Sequence, residues 1–133
     1  MRIVLDTNVV VSGLLSPYGP PATILRLVAV GDLRLCFDGR ILAEYRQVLG
    51  RERFGFDPDD IEDLLEQVES DGELVAAGPL TASLPDPDDE PFLEVAAASD
   101  ADALVTGNLR HYPEDRRAGV TVVTPAGLLD MLR

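Results

Sequence analysis

Short aliphatic runs alternate with amphipathic stretches along the whole chain, and this alternation restricts the fold more than any other feature. Residues 2–6 read as a buried strand, followed quickly by helical material. Pro20 and Pro21 suit a helix start, and apolar periodicity carries that helix to Gly31. Residues 33–37 read as a second strand. Asp38 can cap the next helix, which reaches Gly50. Asp57-Pro58-Asp59-Asp60 is a strong start for a helix ending near Glu69 or Ser70. Residues 73–76 can form a short third strand. A proline- and aspartate-rich loop then leads to a helix beginning near Asp88 or Asp89. Residues 102–106 and 121–123 supply the last strands, and Thr124-Pro125 caps a terminal helix. Strands spaced by helices predict an α/β domain with a mainly parallel sheet. Functional groups in such folds gather at the carboxyl ends of the strands.

The size, 133 residues, predicts a single domain over 1–133. Hydrophobic residues make up 46% of the chain but aromatics only 5%, so aliphatic side chains must build the core. No apolar run has membrane-spanning length, and Asp6 interrupts the first one at once. We therefore expect a cytoplasmic protein without a membrane partner. Cys36 is the lone cysteine, which excludes an internal disulfide and a cysteine metal cluster; its apolar neighbours place it in the core.

Charge is the awkward part. Twenty-four acidic residues face 11 basic ones, all arginine, for a net charge of −13. Such a surface repels phosphate at long range, so composition alone argues against a nucleic-acid partner. Two things reverse that argument: a carboxylate cluster that binds cations changes the local sign, and a basic partner chain can cover the surface.

The acids at strand ends can form such a cluster. Asp6 directly follows Ile3-Val4-Leu5, where a charge is costly to desolvate without a partner. It reads equally as a helix N-cap or as a metal ligand, and Thr7 and Asn8 can take over the capping. Glu44 borders the buried stripe of its helix; alone it reads as a solvated residue, within a cluster as a ligand. Asp86, Asp88, Asp89 and Glu90 make an acidic first turn that already suits the helix dipole. Among them Asp89 tops the stripe continued by Leu93 and Ala96, so it is the chosen ligand. Gly107 permits a turn or a close approach, and Asn108 can offer a neutral oxygen. His111, the only histidine, lacks the companions of a zinc site and reads as a surface or capping residue. Hard cations such as Mg²⁺ or Mn²⁺ suit carboxylates and water, and clustered acids need cations or protons to coexist.

Together these segments resemble a PIN domain. The resemblance rests on Ile3-Val4-Leu5-Asp6-Thr7-Asn8-Val9, Leu42-Ala43-Glu44-Tyr45, the run Asp86 to Ala96, Leu104-Val105-Thr106-Gly107-Asn108 and Val123-Thr124-Pro125-Ala126-Gly127-Leu128-Leu129. It spans nearly the whole chain and is nearest to the toxin branch of toxin–antitoxin systems, the VapC-type toxins. It implies a three-layer α/β/α sandwich around a five-stranded, mainly parallel sheet. It also implies a Mg²⁺- or Mn²⁺-dependent endoribonuclease that hydrolyses RNA with metal-activated water.

The family's acidic quartet maps onto Asp6, Glu44, Asp89 and the position of Asn108, with Asp6, Glu44 and Asp89 holding the metal. Asn108 departs from the usual aspartate, which lowers the charge and favours one metal, or two only with substrate bound. Asn8, Thr106 and Asp88 are expected to support the site, and Arg110 to steer the RNA backbone. A small cognate antitoxin and a homodimer are the partners the resemblance implies.

Three rival readings compete. A PIN-like module that has lost activity would act through protein or RNA binding, with Asn108 as the first departure. Receiver domains need a lysine, and the chain has none. Phosphatases that form an aspartyl phosphate want a second aspartate where Asn8 stands.

Overall fold

The structure, a computed structural model, describes residues 1–133. Five strands alternate with six helices: β1 (Arg2–Leu5), α1 (Thr7–Leu15), α2 (Pro20–Ala29), β2 (Arg34–Phe37), α3 (Gly39–Leu49), α4 (Pro58–Asp71), β3 (Glu73–Leu74), α5 (Glu90–Ser99), β4 (Ala103–Val105), β5 (Val122–Val123) and α6 (Pro125–Met131). The strands form one parallel sheet in the order β3-β2-β1-β4-β5.

Every residue of β4, and Ile3 to Leu5 of β1, is fully buried. Strands can be apolar without alternation only where helices cover both faces of the sheet. α5 packs across β1, β2 and β4, α4 lies on β2, and α6 lies on β4 and β5 against α2. Aliphatic side chains dominate the core, as the low aromatic content requires, and Cys36 sits among them.

Local signals account for the helix boundaries. Asp38 accepts from the Ile41 amide at 3.1 Å and Thr124 from the Gly127 amide at 3.0 Å. Asp57 caps α4, with Pro58 at its first position. Three details differ from expectation. β3 has only two residues, Glu73–Leu74, and not the four expected; Gly72 before it leaves no room for a Cβ, which would stand 2.5 Å from the Val68 carbonyl oxygen and 2.7 Å from that of Leu35. A short 3₁₀ turn, Pro87–Asp89, precedes α5, so the helix proper starts at Glu90. Another such turn, Glu52–Phe54, follows α3.

The topology marks one crevice. From β1 the chain steps to β2 and β3 on one side, and to β4 and β5 on the other. In open parallel sheets, ligands bind outside the carboxyl ends of the strands at such a reversal. Here that is the space above β1 and β4, where Ile3, Val4 and Leu5 pair with Ala103, Leu104 and Val105. The same register brings Asp6 beside Thr106.

Candidate active site

Asp6 occupies the N-cap position of α1, but its side chain makes no capping bond. Instead its Oδ2 accepts from Thr106 Oγ1 at 2.9 Å and from the Tyr112 hydroxyl at 3.1 Å. Thr106 and Tyr112 are themselves fully buried, and Asp6 is only 4% exposed. Burial pushes its carboxyl above the usual range, while the two hydroxyls oppose that shift. Burial and the Asp6 charge push the Tyr112 phenol up, so it stays protonated and remains a donor.

Glu44 lies half-buried on α3 and accepts a hydrogen bond from Thr7 Oγ1. Its carboxyl is also raised, by burial first and then by the charge of Asp6.

The three neighbouring aspartates separate cleanly. Asp86 Oδ1 caps the 3₁₀ turn by accepting from the Asp88 amide at 2.9 Å. Asp88 is exposed. Asp89 is 8% exposed, and its Oδ2 has no hydrogen-bond partner. Burial, followed by the charge of Asp6, pushes its pKa up to about 7; His111 acts the other way. The loop before it is tied down from α5, where Glu90 accepts from the Leu84 amide at 2.9 Å and Glu94 from the Leu80 amide at 3.3 Å. Arg40 links the buried Glu94 to Asp38.

The strap after β4 closes the crevice. The amide of Gly107 donates to Asn8 Oδ1 at 2.9 Å. A Cβ on Gly107 would stand 3.2 Å from that oxygen, so the close approach expected there is to the Asn8 amide. Asn108 turns its Oδ1 back to the Arg110 amide at 3.2 Å, and its own amide donates to Thr106 Oγ1 at 3.1 Å. Arg110 is exposed and forms no ion pair. His111 is not a free surface residue: its Nδ1 lies 3.0 Å from Asp89 Oδ2, without hydrogen-bond alignment. The expectation of a surface or capping role is corrected to that extent.

The charge of Asp6 raises the proton affinity of both Glu44 and Asp89, and Glu44 raises that of Asp89, so the three carboxylates stand near one another. As the side chains stand, no three His, Cys, Asp or Glu groups close on a single point. Tyr112 escaped the sequence reading, which gave Thr7 only a capping role and His111 only a surface or capping one. Thr7 was legible as the neighbour of Asp6; Tyr112 carried no local signal. An uncharged groove lined by Asn8, Ser12, Pro21, Gly107, Asn108 and Pro125 adjoins the crevice. The more enclosed apolar cavity between α1, α2 and α4 contains no carboxylate and is a separate feature.

A parallel α/β sandwich with buried carboxylates at its topological switch point defines the class. The PIN domain family model matches residues 2–110, and the chain belongs to that family. No curated protein matches it in sequence. Solved structures that share its fold include the following three. VapBC2 from Rickettsia felis, bound to a DNA fragment from their promoter, is 16% identical with a TM-score of 0.59, covering 93% of this chain and 98% of that one. FitAcB from Neisseria gonorrhoeae is 19% identical with a TM-score of 0.63 over 93% and 98%. FitAB bound to the IR36 DNA fragment is 17% identical with a TM-score of 0.63 over 92% and 94%.

Proposed function

We propose that this PIN domain, a single unit over residues 1–133, is a divalent-metal-dependent endoribonuclease and the toxin of a toxin–antitoxin pair. The observation that carries the reading is the buried Oδ2 of Asp89, which accepts no hydrogen bond, beside the buried Asp6. Burial raises both carboxyls and the Asp6 charge raises Asp89 further, and a cation beside them would relieve both the desolvation and the repulsion. An oxygen-rich donor set of this kind fits Mg²⁺ or Mn²⁺. Asp6, Glu44 and Asp89 would hold the ion, directly or through water. A bound cation there supplies charge neutralisation at a phosphate and lowers the pKa of an attacking water.

The chain's own residues do the rest. Thr106 and Tyr112 fix the rotamer of Asp6, and Thr7 does the same for Glu44. The neutral groove past Asn8 and Asn108 lets a polyanion approach without meeting further carboxylates. The strap beyond β4 carries Arg110, Arg116 and Arg117, and none of them is paired with an acid. Arg116 and Arg117 donate to the Ser83 and Tyr112 carbonyls, so the exposed Arg110 is the one best suited to contact an RNA phosphate, which answers the unfavourable net charge locally.

A small basic antitoxin would complement the acidic surface. Exposed Leu15 at the end of α1 and Tyr18 just after it offer apolar area for a second copy of the chain. No helix is long and apolar enough to cross a membrane, in keeping with a cytoplasmic site of action.

One observation favours the rival reading, a PIN-like module of weakened activity that binds protein or RNA. Asn108 supplies no charge, and its side-chain oxygen is already engaged by the Arg110 amide. Incubating purified protein with RNA in Mg²⁺, Mn²⁺ or EDTA decides between the two. Cleavage in metal that stops in EDTA and in Asp6→Asn supports the nuclease. Undiminished cleavage by Asp6→Asn, or none under any metal, removes it.

A further inference from the structure

Tyr45 is the one polar side chain among the buried residues of α3, and the proposed chemistry gives it no task. It is 3% exposed, and its hydroxyl donates to the Leu5 carbonyl. That carbonyl is free for a topological reason. The Asp6 amide donates to the Val105 carbonyl at 2.9 Å, so it points at β4. In a trans peptide the Leu5 carbonyl then points the other way, toward β2. β2 pairs with β1 only at Arg2 and Ile3, and it ends at Phe37 before Asp38 turns the chain into α3. A buried carbonyl left without a donor is costly, and the Tyr45 hydroxyl satisfies it. Burial drives that phenol far above its usual range, so it stays a donor.

The bond joins the immediate chain neighbours of two carboxylates: Leu5 precedes Asp6, and Tyr45 follows Glu44. The Tyr45 ring also meets Phe92, with centroids 6.3 Å apart and planes tilted by 40°. Phe92 lies on α5, three residues after Asp89. The three acids sit at the end of β1, on α3 and at the start of α5. Tyr45 belongs to one of these elements and contacts the other two. Apolar packing is non-directional and lets a helix slide slightly, whereas a hydrogen bond fixes both distance and angle.

We propose that Tyr45 is a positioning residue: its hydroxyl bond to β1 and its ring contact with α5 set the spacing of Asp6, Glu44 and Asp89. The inference rests on the metal-site reading above and adds the residue that holds its corners in register. Thr106, Tyr112 and Thr7 orient individual carboxylates; Tyr45 orients the elements that carry them.

Tyr45→Phe removes the hydroxyl and keeps the ring. The control is Ile61→Val on α4, a buried position on a helix that carries none of the three acids, where trimming one methylene costs a comparable amount of stability. Urea titration places the variants on one stability scale. By calorimetry, Tyr45→Phe should bind Mn²⁺ about tenfold more weakly than wild type, as loss of a group supporting a ligand does. Its kcat for metal-dependent RNA cleavage should fall while the KM for RNA holds. Phe92→Leu, which leaves the hydroxyl bond in place, should weaken Mn²⁺ binding by less than Tyr45→Phe does. Ile61→Val should keep the wild-type Mn²⁺ affinity, kcat and KM. Tyr45→Phe or Phe92→Leu binding Mn²⁺ as tightly as Ile61→Val overturns this proposal and leaves the carboxylate site intact. Wild type that binds no Mn²⁺ overturns both.

Discussion

Asp6 and Asp89 are buried to nearly the same degree, at 4% and 8% exposure, but they are not equivalent. Asp6 is held by two hydroxyls from distant parts of the chain. Asp89 has an oxygen that accepts no hydrogen bond and an imidazole set beside it. One corner of the crevice is finished by the fold, and the other is left open. A carboxylate that positions a cation can be locked in advance, because its second oxygen stays available. A carboxylate without donors carries its desolvation cost until a ligand arrives, so it is the corner that senses occupancy.

The largest effect should come from removing either carboxylate where both are needed. Asp6→Asn and Asp89→Asn should each lower metal-dependent RNA cleavage by about a hundredfold or more, measured as single-turnover rates. A variant that keeps wild-type rates would show that its corner is not part of the chemistry.

Stability should split the two corners. Removing a hydrogen bond to a charged group costs about 1.5–3 kcal/mol, so Thr106→Val and Tyr112→Phe should each destabilise the protein by that amount in urea titrations. Above pH 7, Asp89→Asn should do the opposite in EDTA, raising the melting temperature by a few degrees, about 1 kcal/mol, because it removes a buried charge whose Oδ2 has no hydrogen bond. If Asp89→Asn destabilises the metal-free protein as much as Tyr112→Phe does, the contrast fails.

The pH dependence follows from the same difference. Folded Asp89 holds its proton up to about pH 7, against an ordinary value of 3.8. Between those values the folded state binds the extra proton, so metal-free stability falls as pH rises through that window. The penalty is absent below pH 3.8 and complete above 7. Asp89→Asn should flatten the profile of melting temperature against pH measured in EDTA, and bound Mn²⁺ should flatten it in wild type. A wild-type profile that rises across that window would contradict the assignment.

The smallest effect belongs to the exposed strap. Arg110→Ala should raise the KM for RNA a few-fold with little change in kcat, and the effect should shrink in high salt. A change in kcat alone would place Arg110 in the chemistry and not in steering.

Much of this architecture was legible along the chain. The strand and helix alternation, the caps at Asp38, Asp57 and Thr124, and the core position of Cys36 all follow from local pattern. β3 and the turn before α5 were harder, because two-residue strands and 3₁₀ turns have no periodicity to detect. For the crevice, Asp6 and Glu44 were readable from their place at a strand end and on a stripe edge. The choice among Asp86, Asp88 and Asp89 rested on a helical stripe, but α5 is buried from Phe92 through Ala96, so the stripe hardly discriminates. Capping by Asp86 and burial of Asp89 separate them far better.

By itself the sequence determined which elements form and that carboxylates end up near strand ends, because hydrophobic period and capping chemistry act over a few residues. Only the tertiary structure decided what each carboxylate meets. The Thr106 and Tyr112 hydroxyls reach Asp6 across 100 and 106 residues, through parallel pairing that leaves no local trace. The same pairing turns His111 from an unplaced histidine into the neighbour of a buried oxygen that accepts no hydrogen bond. Asp6 could be found by reading along the chain; the open corner at Asp89 exists only once β1 and β4 lie side by side.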